Sequence, residues 1–281
     1  MKKKNIQIID KIISLEKKYF HPILCRQTQA SNKEKKKWRN ETIYERKKRI
    51  STEVYKMYDG IIQFGPFKGM KISDKNWWGN IDLAPMILGT YEKEIINFIF
   101  SKKCEKFTNF INIGAADGFY SCGLLFSKRM NNCLAFEQNI KGRKTIKINS
   151  ELNSVNKKIQ VYGKADSNIL NKMQNMNLKK TLLLIDIEGN EFNLLNQSFL
   201  NFFSNSLLIV EIHNWVDNFW SKYEKLLKLA SNYFKIEFIK NHKRDLCNLK
   251  EFRDFTDDNR LLMISESRPC IMRFLVLIPK H

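Results

Sequence analysis

Apolar residues along this chain change their period repeatedly, and each change marks an element. Near the start, Ile6, Ile9, Ile12, Ile13, Tyr19 and Phe20 recur at helical spacing, and His21-Pro22 ends that run. A second, basic helix is predicted from Glu41 to Tyr58. Ile61 to Ile72 places Gly65-Pro66-Phe67-Lys68-Gly69 between two apolar runs, which predicts a hairpin. Tyr91 to Phe100 reads as a helix leading into the rest of the chain.

From Thr108 onward, short runs that are apolar throughout alternate with amphipathic ones. Strands are predicted at Phe110 to Ile113, Cys133 to Phe136, Lys158 to Gly163, Thr181 to Ile187, Ser206 to Ile212, Phe234 to Ile239 and Cys270 to Pro279. Helices are predicted at Phe119 to Phe126, Lys144 to Leu152, Glu191 to Phe203 and Phe219 to Tyr233. Strands with two apolar faces, alternating with helices, call for a parallel, doubly wound α/β sheet. The last two have no regular helix between them and predict a closing antiparallel pair. Residues 241–269 then form a polar loop, suited to substrate contacts. The chain divides into an N-terminal helical extension with a hairpin, 1–104, and an α/β domain, 105–281.

The first strand breaks at Gly114-Ala115-Ala116-Asp117-Gly118, and the second closes on Glu137. In an open α/β sheet, small residues in that turn let the backbone approach a nucleoside, and an acid about 20 residues on bonds a ribose hydroxyl. A dinucleotide fingerprint wants G-x-G-x-x-G. Here the inner positions are alanines, and Asp117 would repel a pyrophosphate, which favours S-adenosylmethionine over NAD or FAD. The same glycines also fit a tight turn that holds no ligand.

The fourth strand runs into Asp186-Ile187-Glu188-Gly189-Asn190-Glu191 and the fifth into Glu211-Ile212-His213. A strand period of two puts Asp186 with Glu188 on one face, and Glu211 with His213 likewise. If the strands are neighbours, these groups meet at the edge where such sheets bind ligands. That set suits methyl transfer to a hydroxyl. His213 is the natural base, with a free pKa near 6.5, oriented by Glu211 or Glu188. Alternatively the carboxylates hold Mg²⁺ or another hard cation that acidifies the hydroxyl, although no metal site is assigned. Each residue also has a plain structural role open to it: His213 as a helix cap, Glu191 on a solvent face, Asp186 as a turn former.

Composition narrows the partners. The chain has 281 residues and a net charge of +20, half of it within residues 1–60. Lys35-Lys36-Lys37-Trp38-Arg39 and Arg46-Lys47-Lys48-Arg49 are the densest stretches. Such a face steers RNA, acidic glycan or an anionic membrane surface, or is simply solvated. No RNA-binding signature accompanies it, and no apolar run is long enough for a transmembrane span. Cys25, Cys104, Cys122, Cys133, Cys247 and Cys270 form no C-x-x-C pair and sit mostly in apolar runs, which fits reduced thiols in a cytoplasmic protein. Trp77-Trp78-Gly79 either packs in a core or stacks on a sugar.

Asn112-Ile113-Gly114-Ala115-Ala116-Asp117-Gly118, Phe136-Glu137, Asp186-Ile187-Glu188-Gly189-Asn190-Glu191 and Val210-Glu211-Ile212-His213 together resemble the motifs of FkbM-type S-adenosylmethionine-dependent methyltransferases. The resemblance covers residues 108–213. It implies a class I, Rossmann-like sheet of seven strands with the last antiparallel, and O-methylation of a sugar or other hydroxylated small molecule. It also implies that Asn112, Gly114, Ala115 and Gly118 line the methionine end of the cofactor. By the same resemblance Glu137 holds the ribose, the turn of Gly163, Lys164, Ala165 and Asp166 borders the adenine, and Asp186 faces the methyl group. The family usually carries Asp where this chain has Asn112, so a charge is missing there. Methylation of RNA or DNA is a second reading, against which the fourth strand ends in D-I-E-G and not N/D-P-P-Y/F. A non-catalytic nucleoside or nucleic-acid binding module on the same fold is a third.

Overall fold

The computed structural model describes residues 42–78, 80–165, 167–173, 176–239, 257–266, 268 and 273–280. The predicted helix at Ile6 to Phe20 and the Lys35-Lys36-Lys37 run lie outside them. Seven strands form one sheet: β1 (Asn109–Ile113), β2 (Asn132–Phe136), β3 (Ile159–Tyr162), β4 (Thr181–Ile185), β5 (Leu207–Ile212), β6 (Phe234–Ile239) and β7 (Arg273–Pro279). Their order is β3-β2-β1-β4-β5-β7-β6. β1 to β5 pair in parallel, and β7 runs antiparallel to both β5 and β6. This is a Rossmann-like sheet with its last strand antiparallel, the strand order of class I methyltransferases.

The alternation inside each strand explains the two-sided core. Phe110, Leu182, Leu184, Leu207, Ile209, Phe274 and Val276 belong to one buried cluster. Their immediate neighbours Ile111, Ile113, Leu183, Ile185, Leu208, Val210, Leu275 and Leu277 belong to the other. A period of two therefore feeds both faces, as expected for strands covered on both sides.

The described N-terminal residues complete the first cluster. Helix α1 (Ile43–Met57) starts with a capping box, in which Thr42 accepts from the Glu45 backbone while Glu45 reaches back to Thr42. It buries Ile50, Ser51 and Val54 on one face. Lys47 on that face is 1% exposed and pairs with Asp82 at 2.9 Å, so this member of the basic stretch is an internal ion pair and not a docking residue. Next come α2 (Leu83–Ile87) and α3 (Lys93–Ile99). The predicted hairpin is reduced to a short pairing: Ile61 and Lys71 form a single antiparallel bridge, flanked by hydrogen bonds from Ile62 N–H to Met70 O and from Ile72 N–H to Gly60 O, and Ile62, Phe67, Met70 and Ile72 are all buried. Between these paired ends the segment is a run of turns, with glycines at 65 and 69 at positive φ.

Later elements depart from expectation where local caps decide. Helix α4 (Phe119–Phe126) is as predicted, whereas α5 (Ile140–Leu152) begins four residues early because the Asn139 side chain accepts from Lys141 N–H. The predicted Glu191-to-Phe203 helix is two, α6 (Glu191–Leu194) and α7 (Gln197–Phe202), since Asn196 breaks the first and caps the second. Helix α8 (Phe219–Ala230) follows β5. Part of the expected 241–269 loop is a helix, α9 (Asp257–Ile264), with Met263 and Ile264 buried; residues 240–256 lie outside the described set. No helix among the described residues is long and apolar enough to cross a membrane. Cys104, Cys122 and Cys133 are buried free thiols.

Candidate active site

The strand order reverses at β1, with β2 on one side and β4 on the other, and this opens a crevice at the carboxyl ends of these parallel strands. A cavity of about 660 Å³ lies there, lined by the ends of β1 (Asn112 to Gly114), β2 (Glu137), β4 (Asp186, Glu188) and β5 (Glu211). Its size falls within the usual range for small-molecule sites, about 300–1,000 Å³.

Backbone geometry at the glycine turn is tight. Gly114 has φ +85°, and a Cβ there would stand 1.6 Å from the Asp186 carbonyl oxygen. The bare Cα lets β1 and β4 stay paired to their ends, where Asp186 N–H donates to Ile113 O at 2.9 Å. Gly118, at φ +82°, starts α4. Asn112 is buried and its amide donates to Ser121 Oγ at 3.0 Å. Asp117 does not face a ligand as a repelling charge. Its carboxylate accepts the backbone N–H groups of Trp77 and Trp78, at 2.9 to 3.1 Å, and so ties the N-terminal segment to the turn. Trp78 is 47% exposed and both indoles line the cavity, so this turn presents its rings to the opening instead of packing inside.

Glu137 is 5% exposed. One carboxylate oxygen accepts from Ala116 N–H at 2.9 Å and the other from Asn139 N–H at 2.7 Å. Each oxygen keeps a lone pair for a further donor. Gly142 makes this possible, because a Cβ there would meet Glu137 Cγ at 2.7 Å. Of the predicted adenine turn, Lys164 and Ala165 line the cavity, Gly163 does not, and Asp166 lies outside the described residues.

The acidic rim converges, though not by the route expected. β4 ends at Ile185, and Glu188 sits beyond it in a turn with φ 54°. It is the loop, and not strand period, that brings Asp186 and Glu188 together. His213 Nε2 lies 3.4 Å from Asp186 Oδ1 and 3.7 Å from Glu188 Oε2. The imidazole is 1% exposed and stands behind both carboxylates. Its orienting partner is neither Glu211 nor Glu188 but Glu191, which is fully buried. One Glu191 oxygen accepts His213 N–H at 2.8 Å and stands 3.2 Å from Nδ1, and the other accepts Gly189 N–H at 2.8 Å. Burial alone lowers the His213 pKa, but Asp186 and Glu191 outweigh it and carry it to about 10. A group with that pKa is already protonated at neutral pH, so the neutral imidazole base expected from its ordinary value is not what the fold presents.

Glu211 lies within reach of Asp186 and His213 and is also tied to a cation. It joins Arg268, which also pairs with Glu92 at 2.6 Å and Glu266 at 2.6 Å. Tyr120 Oη donates to Glu92 at 2.5 Å. Burial, helped by Glu266 and Asp186 and opposed by Arg268, takes Glu92 to about 7, and burial likewise raises Glu211 and Glu188. Arg268 and Glu92 carried no sequence signal, being one of four arginines in an expected loop and one acid at the start of a predicted helix. Glu191 did have one, since it closes the D-x-E-G-x-E run.

No protein-family model matches the chain, and no curated protein is significantly similar to it. Among solved structures it is similar to an O-methyltransferase from Bacillus cereus in complex with SAH, at 10% identity over 82% of this chain and 90% of that one, with TM-score 0.44. A ribosomal protein L11 methylase from Lactobacillus delbrueckii subsp. bulgaricus aligns at 9% identity over 75% and 86%, also with TM-score 0.44. The precorrin 8w decarboxylase of Methanobacterium thermoautotrophicum aligns at 13% identity over 66% and 89%, with TM-score 0.42. Likenesses at this level carry no weight of their own, and the strand order and register define the fold.

Proposed function

We propose that this protein is an S-adenosylmethionine-dependent methyltransferase of the FkbM type that methylates a hydroxyl on a sugar or other small metabolite. The observation that carries the reading is the meeting of Glu137 and Asp186 on one cavity, across the glycine turn. Glu137 has lone pairs left for two ribose hydroxyls. The rim of Asp186, Glu188, Glu92 and Glu211, with Arg268 as counter-ion, suits a cationic sulfonium. Bound there, the cofactor supplies an electrophilic methyl group.

Trp77 and Trp78 give an apolar wall against which a sugar ring stacks. Asp186 orients the acceptor hydroxyl in line with the methyl, the step in which positioning contributes most, about 7–11 kcal/mol. Glu188 lines the cavity half exposed, and its carboxyl is raised by burial and by Asp186. It would take the hydroxyl proton as the O–C bond forms and the methyl–sulfur bond of the donor breaks, with S-adenosylhomocysteine as the leaving group. Glu188→Gln should therefore lower kcat by about 10²-fold while affinity for S-adenosylhomocysteine, which carries no sulfonium charge, stays as in wild type; an unchanged kcat would assign the proton elsewhere.

Calorimetric titration with S-adenosylmethionine and S-adenosylhomocysteine tests the reading directly. Wild type should bind both, and Glu137→Ala should weaken each by about tenfold or more, the loss of hydrogen bonds to a charged acceptor. Folded wild-type protein that binds neither would overturn the reading.

A further inference from the structure

We propose that Asp186, Glu211 and His213 form a site for one divalent first-row metal ion of the Mn²⁺ class, on the wall of the same cavity. One ligand atom from each lies within 4.8 Å of the others. Donors around a single ion at about 2.0–2.2 Å stand at most about 4.4 Å apart, so side-chain rotation on the scale of about 1 Å closes the site.

Two further observations point to a cation here. The first is the state of His213, whose side chain is 2% exposed. Glu191, itself fully buried, faces Nδ1 and anchors the residue's backbone N–H as well. When a cation displaces the Nε2 proton, the contact of Nδ1 with Glu191 keeps the Nε2 lone pair directed outward, the arrangement that presents a metal-ligating imidazole. Nε2 is aimed at Asp186 Oδ1 and Glu188 Oε2, at 3.4 and 3.7 Å, beyond the length of a made N–H···O bond. The second is Asp186 Oδ1, a buried oxygen with no hydrogen-bond partner. In the metal-free protein only the Nε2 proton of His213 stands in that gap, and a bound ion would replace it.

The charge balance agrees. Asp186, Glu188, Glu211, Glu92 and Glu266 gather around this end of the cavity, and Arg268 pairs with three of them. That is a local excess of negative charge in a chain of net charge +20. One imidazole among carboxylates favours Mn²⁺ over Mg²⁺ or Ca²⁺, which prefer oxygen alone. The site stands without the methyl-transfer reading. Its consequence for that reaction rests on it: the ion would bind the acceptor hydroxyl beside Asp186 and lower its pKa.

Titration of the full chain with Mn²⁺, followed by the loss of the free-ion electron paramagnetic resonance signal and with no methyl donor present, tests the site. One ion per chain should bind. Asp186→Asn, nearly isosteric, should weaken binding at least tenfold, and Glu191→Gln by about 10–100-fold through the orientation of His213. Glu151→Gln, at an exposed position on α5, should match wild type. Mn²⁺ should also raise the unfolding temperature of wild type and leave that of Asp186→Asn unchanged. No saturable binding by wild type, or equal binding by Asp186→Asn, would overturn the site and leave a protonated imidazole in the gap. The methyl-transfer reading is judged separately, by cofactor titration.

Discussion

Gly114→Ala should destabilise the protein by about 4 kcal/mol or more, in the range that a single substitution reaches only through a named steric cause. The cause is on one atom: the added Cβ would stand 1.6 Å from the Asp186 carbonyl oxygen, at a φ of +85° that L side chains rarely adopt. Relief requires the ends of β1 and β4 to separate. That breaks the Asp186 N–H bond to Ile113 and removes Asp186 from the cavity. For a chain of this size the melting temperature should fall by about 10 °C, and cofactor binding should be lost with it. Gly163→Ala is the matching control. Nothing lies within 4 Å of a Cβ at Gly163, so that variant should stay within about 0.5 kcal/mol of wild type. Similar unfolding curves for the two variants would show that the β1–β4 edge tolerates a side chain, and the site geometry described above would be wrong.

Arg268→Ala should cost about 3–5 kcal/mol, the usual result of removing one partner from a buried ionic cluster. Its guanidinium is the shared counter-ion of Glu92, Glu211 and Glu266. Without it the carboxyls must take up protons, and the pH dependence reports this. In wild type, Glu92 is raised from 4.5 to about 7. Between those values the folded state binds more protons than the unfolded one, so stability falls as pH rises from about 4.5 through about 7. Burial raises Glu211 in the same sense. His213, raised from 6.5 to about 10, adds stability that is complete below 6.5 and is lost as pH rises through about 10. With Arg268 removed, the carboxyls move further up, and the decline attributed to Glu92 should extend above pH 7. Urea unfolding of both proteins from pH 5 to pH 9 measures it. Parallel curves, offset by less than about 1 kcal/mol, would mean that the cluster is solvated and that Arg268 does not organise the acceptor end of the cavity.

Arg268 also links the two parts of the chain that meet at the cavity. It reaches from the segment before β7 to Glu92, at the start of α3, and to Glu211, on β5. Asp117 makes a second link, from the glycine turn to the Trp77-Trp78 backbone. The N-terminal segment is thereby part of the cavity wall. An acceptor pocket made this way can change with that segment while the sheet and the glycine turn stay the same, and this is why the shared fold says little about the acceptor.

Local pattern was enough for the sheet. Short apolar strands separated by helices carry the parallel order, because period and burial are set residue by residue; the antiparallel closure was expected from two late strands with no helix between them, although α9 does stand between β6 and β7. The glycine turn, Glu137 and the acids after β4 and β5 were legible for the same reason: they sit at fixed offsets from strand ends, and strand ends set position in this fold. Helix and strand limits near Asn139, Asn196 and Glu188 were not, since a single side-chain cap or one residue at positive φ decides them. What only the tertiary structure decided is the pairing of charges. Glu191 as partner of His213, Lys47 as partner of Asp82, and Arg268 among three glutamates join residues 22, 35 and between 2 and 176 positions apart. In sequence, a lysine in a basic run or a glutamate at a helix start looks solvated. Whether it is paired and buried depends on which surfaces the fold brings together, and that in turn fixes its charge and its chemistry.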